Sequence, residues 1–326
     1  MNTIDLQIQT TASDGKHTPR EVVAMAQDEK LETIAITDHD TVSGVEEGVR
    51  AGEEFGVRVI PGIEISVEER GAHILGYGID CKNEALLAEL EKSKQGRIEG
   101  ARKMVENLKN AGFVVEWEDV VREATGAVVA RPHLARAVLN RIENKEKLGK
   151  ISTSHDFIQK YLTDDNPNYV RRTHIAAKDA ITLIREAGGV AIWSHPAIHF
   201  YPVRSKSSLA TITPYDDRTS DGVEGDYAEL EEFLRQLIDW EIEGLEVFNP
   251  SHSEDDVEFI ESLAAKYKLL RTAGSDFHEK GDHAPDARGL HSARAVGDYD
   301  TYGFSTEDII SNLDSAMAQH ALPRGG

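Results

Sequence analysis

The chain has 13 histidines and 58 acidic residues, and those that can do chemistry together stand where short apolar runs begin or end. Asp14 lies in TTASDG, His39 in TDHDT and Glu64 in PGIEIS, while His73 opens the next apolar run. Further on, His195 lies in SHP, His252 in NPSHS, and Asp276 and His278 share GSDFH. Imidazole and carboxylate donors together suit Mn, Fe, Zn or Mg, whereas a thiolate-rich set would indicate structural zinc. Two or three such ions held close activate water and offset charge developing on phosphorus, the usual logic of phosphoester hydrolysis. His155, His174, His283, His291 and His320 stand in no such pattern and read as structural or solvated, and His17 as exposed.

The elements that must position these residues alternate between apolar runs and amphipathic segments. Residues 4–8, 33–36, 58–60, 63–65, 73–79, 190–193, 244–248 and 269–273 have strand character. Helical periodicity covers 42–55, 176–187, 227–240 and 253–267. Thr18-Pro19-Arg20-Glu21 is a helix start, with an N-cap, a proline at the first position and a capping-box glutamate. Repeated strand-then-helix units imply parallel strands with helical crossovers, and seven or so suit a barrel. In barrels of this kind the carboxyl ends of the strands carry the site. The stretch 86–139 is mostly helical, with Ala101, Met104, Val105 and Leu108 along one face. Residues 200–224 are polar and irregular, a loop long enough to be functional or mobile.

Composition narrows the function. A net charge of −22 disfavours binding to long nucleic acid, although bound cations can invert the field inside a pocket. No apolar run reaches 18 residues, and the first residues lack the pattern of a signal peptide, so neither a membrane span nor export is expected. Cys81 is the only cysteine, which rules out a disulfide within the chain and fits a reducing cytoplasm. No obligate protein partner is evident.

At TTASDG (10–15), ITDHDT (36–41), PGIEIS (61–66), HILGYGID (73–80), ARPHLARAVL (130–139), AGGVAIWSHP (187–196), GLEVFNPSHS (244–253) and GSDFH (274–278), the chain resembles the PHP (polymerase and histidinol phosphatase) superfamily. The resemblance is to its stand-alone TrpH/YciV-type phosphoesterases and covers most of the chain. It implies an α/β fold, a distorted (β/α)7 barrel formed by residues 1–95 and 166–326, with 96–165 as a helical insertion. It also implies two or three divalent metals (Mn, Fe, Zn or Mg), a small phosphorylated substrate such as a nucleotide or short oligonucleotide, and a metal-activated water as nucleophile. Carried over by position, one metal takes Asp14, His39 and His278, and a second takes Glu64, His73 and His195. Asp14, His39, Glu64 and Asp276 are the implied catalytic group. Arg131 and His133 become candidates to hold phosphate, with His252 a further contact and Arg171 or Arg172 a weaker one.

One departure stands out. A third position in the family uses Asp276, Glu64 and a His-x-His pair in the motif Asp-Leu-His-x-His-Thr. Here the segment reads Asp5-Leu6-Gln7-Ile8-Gln9-Thr10. Two residues apart on a strand, both side chains still point to one side. A glutamine offers only a neutral amide oxygen, weaker than imidazole for a transition metal. The third position is therefore expected to be weakly occupied or lost. The rival to an active phosphoesterase is an impaired relative that binds metal or nucleotide without turnover.

Overall fold

The computed structural model describes residues 2–124, 129, 131–163, 166–170, 174–200, 227–281 and 293–321. The expected loop at 200–224, along with Arg171, Arg172, His283 and His291, therefore lies wholly or almost wholly outside the described residues. The chain divides into two compact units, residues 1–88 with 175–326, and residues 89–174.

The larger unit is built on a mixed seven-stranded sheet in sequential order. Its strands are β1 (Ile4–Asp5), β2 (Thr33–Ile36), β3 (Arg58–Ser66), β4 (His73–Tyr77), β5 (Val190–Trp193), β6 (Gly244–Phe248) and β7 (Leu270–Ala273). Beyond β1 the chain turns towards β7: Leu6 N donates to Ala273 O at 2.8 Å, Gln9 N donates to Phe277 O at 2.9 Å, and Ile8 bridges Phe277 in parallel. The sheet is thus nearly closed into a barrel. Strands β2, β5 and β6 are buried at every residue, as a sheet covered on both faces requires.

Two features differ from the expected pattern. Residues 58–60 and 63–65 belong to one strand, because Pro61 falls where β3 changes from pairing with β2 to pairing with β4 and no ladder donor is needed. The sheet is also not all parallel: β4 runs antiparallel to both neighbours. The short connection between β3 and β4 is too brief for a helical crossover and permits only an antiparallel return. As a result, the first residue of β4, His73, lies at the edge where the parallel strands end.

The helices are α1 (Pro19–Asp28), α2 (Val45–Phe55), α3 (Glu84–Asn110), α4 (Trp117–Glu123), α5 (Arg131–Leu139), α6 (Lys145–Leu148), α7 (Ser154–Tyr161), α8 (Ala177–Glu186), α9 (Tyr227–Asp239), α10 (Glu254–Tyr267) and α11 (Ile309–His320). Thr18 caps α1 with the reciprocal Glu21 bond, and Pro19, Val22, Val23 and Ala26 form its buried face. Ser253 and Asp256 do the same for α10. Helix α11 lies outside the periodicity noted above. Among the described residues, no helix is long and apolar enough to cross a membrane.

The smaller unit has its own core, in which Ala101, Met104, Val105 and Leu108 of α3 pack with Phe113 and Phe157. Asn144 pins it internally: its Oδ1 accepts from Val114 N at 2.7 Å, and its Nδ2 donates to Val114 O and Val138 O at 2.8 and 2.9 Å.

Just after β7 the backbone passes hard against the segment that follows β1. A Cβ on Gly274 would lie 2.4 Å from Gln7 Cβ and 2.7 Å from both Gln7 N and Glu246 Oε1. Gly274→Ala is therefore expected to destabilise the chain by about 1–3 kcal/mol, read as a lower melting temperature. An unchanged melting temperature would show that this approach is not tight.

Candidate metal centre

Glu64 is fully buried in β3, surrounded by three imidazoles, one amide and one hydroxyl. Its Oε1 lies 2.9 Å from His73 Nδ1 and 3.1 Å from His195 Nε2. Its Oε2 lies 3.6 Å from His39 Nδ1. The rings of His39 and His73 are 4.9 Å apart between centroids, and those of His73 and His195 are 5.2 Å apart. His278 Nε2 lies 3.5 Å from Asp14 Oδ1. His278 Nδ1, 2.7 Å from the Asp276 carbonyl, must carry a ring proton because a carbonyl can only accept, so Nε2, which faces Asp14, is the nitrogen that carries the lone pair when the ring is neutral.

Two triads follow. Asp14, His39 and His278 each offer a ligand atom within 4.8 Å of the others, and so do His39, Glu64 and His73. His39 belongs to both, and its Nδ1 is buried with no hydrogen-bond partner among the described residues. Asp276 Oδ1 is likewise buried without one. Imidazole nitrogens and carboxylate oxygens at this spacing fit divalent cations.

The loops that carry these groups are held by carboxylates, of which Asp5 and Asp38 are buried. Asp38 accepts from Thr10 N at 2.7 Å, Thr10 Oγ1 at 2.8 Å and Ser13 Oγ at 2.6 Å, tying down the segment with Asp14. Asp40 accepts from Ser66 N at 3.0 Å and does not ligate in either triad. Asp5 accepts from Ser275 N at 2.8 Å, Ser275 Oγ at 2.6 Å and Gly297 N at 2.6 Å, and so fixes the loop before Asp276 and His278. Asp40, His195 and Asp276 all have positive φ, at 53°, 29° and 52°, right after β2, β5 and β7. Left-handed backbone at non-glycine residues is costly and clusters where a site needs its side chains aimed.

The electrostatics show a centre built for cations. Burial alone would raise Glu64, but His39 and His73, with hydrogen bonds from His195 and His73, hold its carboxyl well below the usual range. Asp14 is lowered in the same way: burial opposes ionisation, and His39 and His278 outweigh it. Burial pushes His73 and His278 down, but Glu64 raises His73 and Asp276 with Asp14 raises His278 above the ordinary value. Burial raises Asp276, sends Glu246 well above the carboxylate range, and pushes Asp5 up to about 6.

Gln7 and Gln9 are fully buried and engage the centre. Gln9 Nε2 lies 2.6 Å from Glu64 Oε2, and Gln7 Nε2 lies 2.9 Å from Ser194 Oγ, which itself donates to Glu64 Oε1 at 3.1 Å. His252 is not on an open face: it is 1% exposed, and its Nδ1 donates to Val247 O at 2.8 Å. Arg131 and His133 stand at the start of α5 in the smaller unit, where Arg131 lies 5.3 Å over the ring of Tyr169. Asp5, Ser194, Glu246 and Asn249 adjoin the centre; they lie within the blocks quoted above, but nothing in the sequence singled them out as site residues.

A nearly closed barrel with a histidine–carboxylate centre at one edge defines a metal-dependent hydrolase. The chain belongs to the PHP domain family, whose profile matches residues 5–186. It is 30% identical over 293 residues to the 3′,5′-nucleoside bisphosphate phosphatase of Chromobacterium violaceum, covering 88% of this chain and 90% of that protein. It is 30% identical over 281 residues to the 5′-3′ exoribonuclease Rnm of Salmonella typhimurium, covering 84% and 85%. In fold it is similar to a protein of Bifidobacterium adolescentis assigned as a metal-dependent phosphoesterase, with a TM-score of 0.70 at 24% identity over 97% of this chain and 96% of that one. The chain is a hydrolase of phosphate esters, and its clustered imidazoles and carboxylates fit divalent metals.

Because His73 and His278 are raised, metal must displace protons from them. Affinity for Mn is therefore expected to fall as pH drops towards and below these raised values, by up to about tenfold per pH unit for each proton displaced. Calorimetry in buffers of different ionisation enthalpy counts those protons. Affinity that stays flat from pH 8 to pH 6 would show that these imidazoles are not ligands.

Proposed function

We propose that this chain releases phosphate from a small nucleotide, a nucleoside 3′,5′-bisphosphate or the 5′ end of a short oligonucleotide, with manganese as a competent metal. The observation that carries this reading is the pair of triads sharing His39, within a chain so similar along its length to phosphatases and nucleases of such substrates. Asp14, His39 and His278 hold one cation. Glu64 and His73, with His195 alongside, hold the second. Bound there, divalent cations lower the pKa of a water and offset negative charge on the phosphoryl oxygens.

The chain's own residues set the stage for that chemistry. Asp14 and Glu64 remain anionic, so cations are drawn to a centre whose ligands are already charged. Asp276 presents a buried Oδ1 without a hydrogen bond and a carboxyl raised by burial, so it can take up a cation or a proton next to the triads. Arg131 and His133, two residues apart at the start of α5 in the smaller unit, are of the types that recognise phosphate, since a guanidinium matches a phosphate bidentately. Cys81 takes no part: burial pushes its thiol up to about 11, which leaves it inert and compatible with a reducing cytoplasm.

Phosphate release from a nucleoside 3′,5′-bisphosphate and from a 5′-phosphorylated trinucleotide, with added Mn, tests this reading. Asp14→Ala is expected to lower the rate at least about a hundredfold, the scale on which loss of groups that tune a metal site is felt. Tight nucleotide binding with no phosphate released from either substrate would instead make the chain a binding protein.

A further inference from the structure

We infer that Gln7 and Gln9 close the β1 side of Glu64 to cations through two directed hydrogen-bond relays, so that the centre takes two metals per chain and no third. The inference rests on the proposed reading of Glu64 as a ligand and goes further, to the stoichiometry of the centre.

The direction of each relay is set by groups that can only donate. His39 N, a main-chain N–H, points at Gln9 Oε1 from 3.1 Å. The acceptor end of Gln9 is therefore committed to His39, and its NH2 must face Glu64 Oε2, 2.6 Å away. The second relay starts at Ser251 N, which donates to Asn249 Oδ1 at 2.9 Å. Asn249 must then present its NH2 to Gln7 Oε1 and to Glu246 Oε2, both at 3.1 Å. That commits the acceptor end of Gln7 and turns its NH2 to Ser194 Oγ at 2.9 Å, and the Ser194 hydroxyl passes the chain on to Glu64 Oε1 at 3.1 Å.

Both relays end as donors on the same carboxylate, one on each oxygen. A cation on that side would need lone pairs that already accept hydrogen bonds, and it would meet the positive ends of two amide dipoles. The only ligand atoms the glutamines own, their Oε1 oxygens, face away from Glu64. Turning them inward would leave the His39 N–H facing an NH2, and the Asn249 NH2 facing another, in a site with no exposed surface at Gln7 or Gln9. The neutral amides thus do part of a cation's work, steadying the anion of Glu64, and leave its imidazole-facing side for metal. Gln7 and Gln9 are positioning residues.

The test counts ions and does not depend on turnover. Wild-type chain, stripped with chelator and then saturated with Mn, is weighed by native mass spectrometry. Two ions are expected, and three are expected in the double variant Gln7→His, Gln9→His. Three ions in the wild type would overturn the inference while leaving the phosphoesterase reading intact. No bound ions in the wild type would overturn the reading of the centre, and the inference with it. A second measurement needs no variant that must fold. The side-chain NH2 protons of Gln9, followed by hydrogen exchange in the wild-type chain, are expected to stay protected when Mg is added. Loss of that protection on loading would show the amide turning to the metal, and the inference would fail.

Discussion

A buried carboxylate is among the costliest things a protein interior can hold unless it is compensated, and Glu64 is fully buried. Everything around it answers that cost. Three imidazoles, an amide and a hydroxyl approach it, and the group remains an anion. Remove those partners and the residue would protonate, leaving no negative ligand at the heart of the centre. The barrel is the scaffold that brings these partners from four different parts of the chain to one carboxylate.

The topology serves that requirement directly. Had β4 been parallel, His73 would have begun its strand at the opposite edge, far from Glu64. The tight antiparallel return after β3 places it beside Ser66, two residues from the carboxylate it contacts. Barrel closure is equally tied to the site. The loop bearing Asp276 and His278 is held to β1 by Asp5, and the same backbone approach excludes any side chain at Gly274. Stability and chemistry share these contacts, so the ends of the sheet cannot loosen without disturbing the ligands.

Much of this could be read from the chain alone. His39, His195, Asp276 and His278 follow apolar runs, and a strand end leaves a local mark that spacing reveals. The barrel and the mostly helical stretch at 86–139 were legible for the same reason. Pairings across long separations were not: nothing near Asp5 indicates that its acceptors serve Ser275 and Gly297, and Ser194 and Asn249 look like any polar residue in a turn. The reversal of β4 depends on the length of one connection. The substitution to Gln7 and Gln9 is plain in the sequence, but the orientation of the two amides is decided by donors at His39 and Ser251, which only the folded chain brings near. His252 shows the reverse limit, since the resemblance made it a candidate phosphate contact while its ring is buried and donates to Val247 O.

The two triads differ in how far apart their members lie along the chain. His39, Glu64 and His73 all come from the first quarter of the sequence, on neighbouring strands β2, β3 and β4, whereas Asp14 meets His278 only once nearly all of it exists. Synthesis proceeds from the N-terminus, and local contacts form before distant ones. The members of one triad are therefore all present early in synthesis, whereas the other is complete only once the last strand has been made. The order in which the centre matures is written into which residues it borrows from the far end of the polypeptide.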